Sequence, residues 1–402
     1  MSTIAIVGAG QAGGWAASTL RSEGFDGRIV LLGDEVHPPH ERPPLSKAVL
    51  AGTAEVHTIH LSRPDAFEAL RLDFRPGAAV ASIDLSARTA ILGDGSAVEY
   101  DRLILCTGAG ARKLTLPGAE SPRVHYLRTI DDALALRQRM GGSRRLIVIG
   151  GGWIGLEVAA TARKAGLAVT VIEALPRLCA RAVPPAVSEY LLQLHQSHGV
   201  DVRVGTGVTA IESDEEGVTV WLADGTGVRG DAVVAGIGAA PNVEVARQAG
   251  LAVDNGIVVD ERGVTSDPRV FAAGDVANMP LACVGRRVRL ESWANAQNQA
   301  IVAAKAALDA DIRYDDIPWF WSDQHDVNLQ LLGLPASWPE AVVRGDVKGG
   351  SFSLFYLDGE HLQGAVAVNA PRDLRAARRL MQLRKPVRPE DLVNPAVNLA
   401  KL

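Results

Sequence analysis

Two short glycine-spaced segments carry the chemistry that the sequence offers most plainly. Gly8-Ala9-Gly10-Gln11-Ala12-Gly13 and Gly150-Gly151-Gly152-Trp153-Ile154-Gly155 both spell G-x-G-x-x-G. In that spacing the first glycine permits a tight turn out of a strand. The second lets the backbone approach a pyrophosphate, and the third lets a helix pack close to the strand. The phosphates then sit on a helix N-terminus, where free N–H groups and the helix dipole favour anions. Each unit ends on an acid placed to accept ribose hydroxyls, Asp34 in the first and Glu173 in the second. Glu173 suits an unphosphorylated ribose and repels a 2′-phosphate. No basic residue follows it before Arg177, so the second unit reads as binding NAD rather than NADP.

Other candidates are less specific on their own. Glu157 lies two residues past Gly155 among apolar neighbours. Its carboxylate could face a nicotinamide, or it could be an ordinary first-turn glutamate favoured by the helix dipole. Lys47, in the proline-rich PPLSK, reads from the residues alone as a surface lysine. Trp319 and Trp321 share a face if PWFWS is a strand, as core or as a stacking surface. Cys106, Cys179 and Cys283 are the only cysteines and form no CxxC. A disulfide framework, a structural zinc site and a local redox dithiol therefore lack support, and no metal site is expected.

These residues need elements to hold them. Each glycine loop follows a short apolar run (Ile4–Val7, Leu146–Ile149) that reads as a buried parallel strand. The loops open helices running to about Glu23 and Lys164, and second strands follow, RIVLLGD ending at Asp34 and Ala168–Ile172. Tyr100–Ala109 and Asp231–Asn242 are apolar strands that exit into glycine and would each close a dinucleotide unit. Thr265–Ala277 is a third such strand, ending at Gly274-Asp275. From Ile317 the texture changes to alternating strands, with a helix over Pro371–Leu383, which reads as a small mixed third domain over 319–402. A chain of 402 residues accommodates two to four domains.

Composition narrows the class. Apolar residues make up 47% and the net charge is −5, which suits a globular protein and argues against bulk binding of nucleic acid or anionic membrane. No apolar run approaches the roughly 20 residues of a membrane span, and no basic n-region precedes the first strand. With so few cysteines, the expected compartment is the cytoplasm. Arg372, Arg375, Arg378, Arg379, Arg384, Lys385 and Arg388 cluster against a single nearby acid, Asp373. They are either a solvated helix face or a docking surface for an acidic partner.

Taken together, the motifs resemble the two-dinucleotide flavoprotein reductases. More narrowly, HERPPLSKAVL, YLRTIDDA, GGGWIGLEVAA, AGIGAAPN, ESWANAQNQA and PWFWSDQ are similar to ferredoxin reductases of aromatic-ring dioxygenase and cytochrome P450 systems. The resemblance covers nearly the whole chain. It implies an α/β fold with two Rossmann-like domains and a small C-terminal α+β domain, in a glutathione-reductase-like arrangement. An FAD domain (1–112 and 241–318) would be interrupted by an NAD domain (113–240), with the C-terminal domain at 319–402.

The same resemblance carries over FAD contacts at Gly8, Gly10, Ala12, Gly13, Asp34, Lys47, Val80, Thr107, Gly108, Arg128, Gly274, Asp275 and Trp293. It carries over NAD contacts at Gly150, Gly152, Ile154, Gly155, Glu173 and Gly238. It places Lys47 near the reactive edge of the flavin, paired with Glu157, and Trp321 beside flavin and nicotinamide. The implied reaction is hydride transfer from NADH to FAD, then two single-electron transfers to a [2Fe-2S] ferredoxin, Rieske-type or adrenodoxin-like, that feeds an oxygenase. Two alternatives stay open: an NADH-dependent reductase of a small molecule (monodehydroascorbate- or quinone-type), and a flavoprotein resembling apoptosis-inducing factor. The thiol route of disulfide reductases needs a cysteine that the first domain lacks before Tyr100.

Overall fold

The computed structural model describes residues 2–335 and 337–402. The N-terminal apolar run forms the strand Thr3–Val7, central in a five-stranded parallel sheet. The spatial order is Val270–Ala272, Arg102–Leu105, Thr3–Val7, Arg28–Leu32, Asp73–Arg75. Strands buried on both faces read as near-continuous Val, Ile and Leu, and Ile4, Ile6, Ile29, Leu31 and Ile104 are fully buried here. One face is covered by the alanine-rich helices Gln11–Ser22 and Trp293–Ala306, whose small residues mesh in a common core. The other face is covered by a three-stranded antiparallel sheet, Val80–Asp84, Thr89–Leu92 and Ala97–Glu99.

The second half repeats this plan. A parallel sheet runs Val200–Val204, Ala168–Glu173, Arg145–Ile149, Ala232–Ala235, Val124–His125. Helices Ile130–Gly141 and Trp153–Lys164 pack on one face. A second three-stranded antiparallel sheet, Val208–Ser213, Val218–Leu222 and Gly227–Gly230, packs on the other. The chain leaves the first unit through Ala109–Ala111 and returns through Ala239–Pro241, and these two segments pair antiparallel. The third unit is a five-stranded antiparallel sheet in the order Trp319–Gln324, Val327–Leu332, His361–Val368, Ser351–Asp358, Val342–Asp346, backed by the helix Pro371–Gln382. No helix among the described residues is long and apolar enough to cross a membrane.

Several elements differ from the sequence expectation. The apolar stretch Tyr100–Ala109 splits into Arg102–Leu105 and Ala109–Ala111, because Gly108 turns with φ +65°. The strand expected up to Gly274 is only Val270–Ala272. The two antiparallel covering sheets carry short, half-polar strands and were not anticipated as sheets.

Candidate functional site

The two glycine loops are built alike. A Cβ on Gly8 would stand 2.2 Å from the Cys106 carbonyl oxygen, and one on Gly13 would stand 1.9 Å from the Gly8 oxygen. Gly150 and Gly155 are closed in the same way, by the oxygens of Gly236 at 2.3 Å and Gly150 at 2.1 Å. The middle glycines differ. Around Gly10 the nearest atom to such a Cβ is Arg42 Nη2 at 3.6 Å, and around Gly152 it is the Gly236 oxygen at 4.0 Å. Both sit in ordinary backbone conformations, φ −79° and −85°. The outer glycines are thus required by the chain itself. The middle ones face open space at a helix N-terminus, a cradle that fits a pyrophosphate.

Around the first loop, distant segments converge. Gly274, with φ +82°, places its Cα so that a Cβ would be 3.0 Å from the Ala12 methyl, and its N–H donates to Gln299 Oε1 at 2.9 Å. The next residue, Asp275, pairs with Arg128 at 2.7 Å. Gly108 stands 3.6 Å from Arg128 Nη2 by the same construction. Trp293 begins its helix against the loop, its carbonyl accepting from Gln11 Nε2 at 3.0 Å and its indole donating to Glu41 Oε1 at 3.1 Å. Thr107 is tied across to Asn242, its hydroxyl donating to the Asn242 carbonyl at 2.7 Å while Asn242 Nδ2 donates back at 2.8 Å. Val80 opens the covering sheet at its half-buried edge. Asp34 is exposed just past the second strand, with Oδ1 accepting from the Glu35 amide at 3.0 Å.

Two residues at this loop were missed from the sequence. Arg42 lies over Gly10, paired with Glu35 at 2.8 Å and donating to the Arg128 carbonyl. Glu35 keeps one buried oxygen, Oε2, without a hydrogen-bond partner among the described residues. Arg42 was in view within HERPPLSK. Only its fold-determined approach to Gly10 distinguishes it from Arg63 or Arg71.

At the second loop, Glu173 accepts from the Gly151 amide at 2.6 Å and from the Leu175 amide at 2.7 Å. Arg177, the nearest basic residue in sequence, is locked away. It donates to the Val183 carbonyl, the Ser188 hydroxyl and the Ala180 carbonyl, each at 2.7 Å. Ile154 is exposed at the helix start, and Gly238 turns with φ +107° beside Arg112 and Arg181.

Between the loops lies the residue pair expected from the motif resemblance. Lys47 Nζ is 2.7 Å from Glu157 Oε2, and Glu157 is only 3% exposed. The Ser46 hydroxyl donates to Oε2 at 2.5 Å and the Ser322 hydroxyl to Oε1 at 2.6 Å. A buried carboxylate is costly unless paired and hydrogen-bonded, and here an ammonium and two hydroxyls surround it. Glu157 is therefore buried and paired rather than an ordinary first-turn glutamate, and Lys47 is more than a surface lysine. The helix Trp153–Lys164 is buried on nearly every side, and it turns Glu157 toward the 3₁₀ turn Pro43–Ser46 rather than toward water.

Trp321 stacks on Trp319 with centroids 5.1 Å apart and meets Trp293 edge-on at 5.9 Å. Trp319 faces the Arg378 guanidinium at 5.8 Å. The tryptophans are half-buried, and Trp319 also packs against the core of the third unit. Cys106 and Cys179 are buried and free. Burial pushes the Cys106 thiol up to about 12, and burial with the Glu173 and Glu157 charges pushes Cys179 up as well.

A family model described as pyridine nucleotide-disulphide oxidoreductase matches residues 2–300, and one described as reductase C-terminal matches 319–402. Rhodocoxin reductase of Rhodococcus erythropolis is 45% identical over 398 residues, 99% of this chain and 93% of its own length. The ferredoxin–NAD(+) reductase component of the anthranilate 1,2-dioxygenase system of Burkholderia cepacia is 42% identical, over 98% of this chain and 97% of its own. Among solved structures, the covalent putidaredoxin reductase–putidaredoxin complex superposes with TM-score 0.95 at 40% identity, covering 100% of this chain and 97% of that one.

Proposed function

The chain belongs to the pyridine nucleotide-disulphide oxidoreductase family, and from that premise we propose that it is an NADH-dependent ferredoxin reductase. FAD and NAD(H) are its cofactors. The first loop, with Ala12, Asp34, Val80, Arg42, Arg128, Asp275 and Trp293, would hold FAD. The second, with Ile154, Glu173 and Gly238, would hold NADH. The domain limits that go with this reading are 1–112 with 241–318, 113–240, and 319–402, and the paired crossing segments at 109–111 and 239–241 support them.

The observation that carries the reading is the buried Lys47–Glu157 pair at 2.7 Å, held between two loops whose middle glycines face open space. A bound FAD supplies the conversion between two-electron hydride chemistry and single-electron transfer. The chain's own residues bind, orient and screen. Lys47 brings a positive charge to the space between the loops, Glu157 holds it there, and Trp321 offers a flat surface beside it. Cys106 and Cys179 are buried with raised thiol pKa values, which supports an external one-electron carrier over a protein disulfide as acceptor.

That carrier is a [2Fe-2S] ferredoxin, Rieske-type or adrenodoxin-like, docking on the helix Pro371–Gln382. Arg372, Arg375 and Arg379 are exposed along one stripe of that helix, and Arg378 reaches to the Trp319 stack. Locked Arg177 and doubly anchored Glu173 support NADH over NADPH. The test is NADH-driven cytochrome c reduction with ferredoxins supplied one at a time. The expected result is a yellow protein bleached by NADH, slow with NADPH, and dependent on ferredoxin for cytochrome c turnover. Equal turnover without ferredoxin would overturn the assignment.

A further inference from the structure

The strand Trp319–Gln324 presents two faces. Its odd positions, Trp319 and Trp321, stack toward Trp293 and Arg378. Its even positions all dock on the second domain. Phe320 meets Trp153 at 4.9 Å, Ser322 donates to Glu157, and Gln324 reaches His195 on the helix Pro185–Ser197. The helix Trp153–Lys164 answers with a matching face. Trp153, Glu157, Thr161 and Lys164 recur at helical spacing. Thr161 donates to the Ser46 carbonyl at 2.8 Å, and Lys164 donates to the His325 carbonyl.

The hydrogen bonds along the even face have only one consistent direction. A carboxylate ringed by an ammonium and two hydroxyl donors is acceptor-only, so Ser322 gives its hydrogen to Glu157. Ser322 Oγ then accepts from Gln324 Nε2 at 3.0 Å. That turns Gln324 Oε1 toward His195 Nε2 at 2.8 Å, which must donate. A neutral His195 then accepts at Nδ1, and His325 Nε2 donates to it at 3.3 Å. All of these side chains are buried. Each link fixes the orientation of the next, and the last donor is aimed at Glu157 Oε1.

We infer that Ser322 is a positioning residue: held by Gln324 and His195, it fixes Glu157 as an anion aimed at Lys47, so that the C-terminal domain sets the charge of the nicotinamide–flavin site. This rests on the reading that the first loop holds FAD with Lys47 at its edge. The strand that displays Trp321 to one side thereby completes the buried pair on the other. Facing Glu157 are Lys47 and the hydroxyls of Ser46 and Ser322; the buried Cys179 thiol feels its charge, and His195 and His325 stand behind Gln324.

The test compares Ser322→Ala, Ser322→Thr and Gln324→Leu in the FAD-loaded protein. Stopped-flow bleaching by NADH reads the site in use. The flavin midpoint potential against pH, poised with a reference dye and no NADH, reads it at rest. Removing a donor from the charged form disfavours that form. Ser322→Ala should bleach about tenfold more slowly at saturating NADH with little change in NADH affinity. Its flavin midpoint potential should depart from the native value across the pH range scanned. Ser322→Thr should restore both, and Gln324→Leu should fall between. An alanine variant with native bleaching and a native potential–pH curve overturns the inference, as does a slowed variant whose curve is unmoved. If the native protein binds flavin but NADH does not bleach it, the functional reading fails while the potential still decides this one.

Discussion

Gly152 and Gly155 lie one helical turn apart and should answer the same substitution in opposite ways. A Cβ at Gly155 would stand 2.1 Å from the Gly150 oxygen, whereas one at Gly152 meets nothing nearer than 4.0 Å. Gly155→Ala should therefore destabilise the fold, by about 1–3 kcal/mol as overpacking does. Gly152→Ala should melt as the native protein does but raise the KM for NADH roughly tenfold, about 1.4 kcal/mol of binding. Thermal melts and NADH titrations of the two variants check this; a melting loss at Gly152→Ala would show that the glycine serves packing. The spacing of these glycines was legible in the sequence. The spacing also assigned Gly152 to a ligand and Gly155 to packing; the carbonyls that close on the loop, such as that of Gly236, were not legible, because they come from far away in sequence. Arg42 and Glu35 were missed for the same reason.

At the scale of elements, the contact between the helix Pro185–Ser197 and the strand Trp319–Gln324 is a pH-sensitive joint. Burial first, then the neighbouring His195 and His198, lower the His325 pKa to about 3. Burial lowers His195 too. The sign follows from linkage. The unfolded chain takes up protons on these histidines below about 6.5 while the folded chain does not. Their neutral burial costs nothing above that pH, and stability is lost as pH falls from about 6.5 toward 3. Melting temperature should hold steady from pH 8 to 7 and drop on acidification, and His325→Gln should flatten part of that drop. An unchanged acid slope in the variant would show that other groups control it. The histidines drew no notice in the sequence, since nothing in QLHQSHG or SDQHD reveals that they meet. The parallel strands were easy to read because both of their faces are buried. The antiparallel covering sheets were not, because one face is wet and their alternation is weak.

At the scale of the molecule, charge is arranged against the overall balance. The chain carries −5, yet Arg372 and Arg375 stand exposed with no carboxylate partner among the described residues. Arg344 takes up the one acid of that helix, pairing with Asp373 at 3.4 Å. Arg379, expected to act with Arg375, also donates to the Ala400 carbonyl at 3.0 Å, so its reversal would disturb the C-terminal turn. The cleaner probe is Arg372→Glu with Arg375→Glu. Electron transfer to ferredoxin should slow about tenfold at low salt, and the difference should shrink as salt screens the encounter. Ferricyanide reduction by NADH should be untouched. Equal loss in both assays would place the arginines in the reductase itself.

The sequence by itself determined the duplicated dinucleotide unit, the acids that end its strands, the lack of a cysteine pair and the family resemblance. These are local features, written in periodicity and spacing over a few tens of residues. Only the tertiary structure decided what else meets the Lys47–Glu157 pair that the resemblance implied. Lys47, Glu157 and Ser322 come from three separate stretches of chain, and Ser322 drew no notice where it stands. They meet because the helix after the second loop is buried against both the proline-rich turn and the third-domain strand. A buried carboxylate in that position must draw its donors from whatever the fold brings within reach.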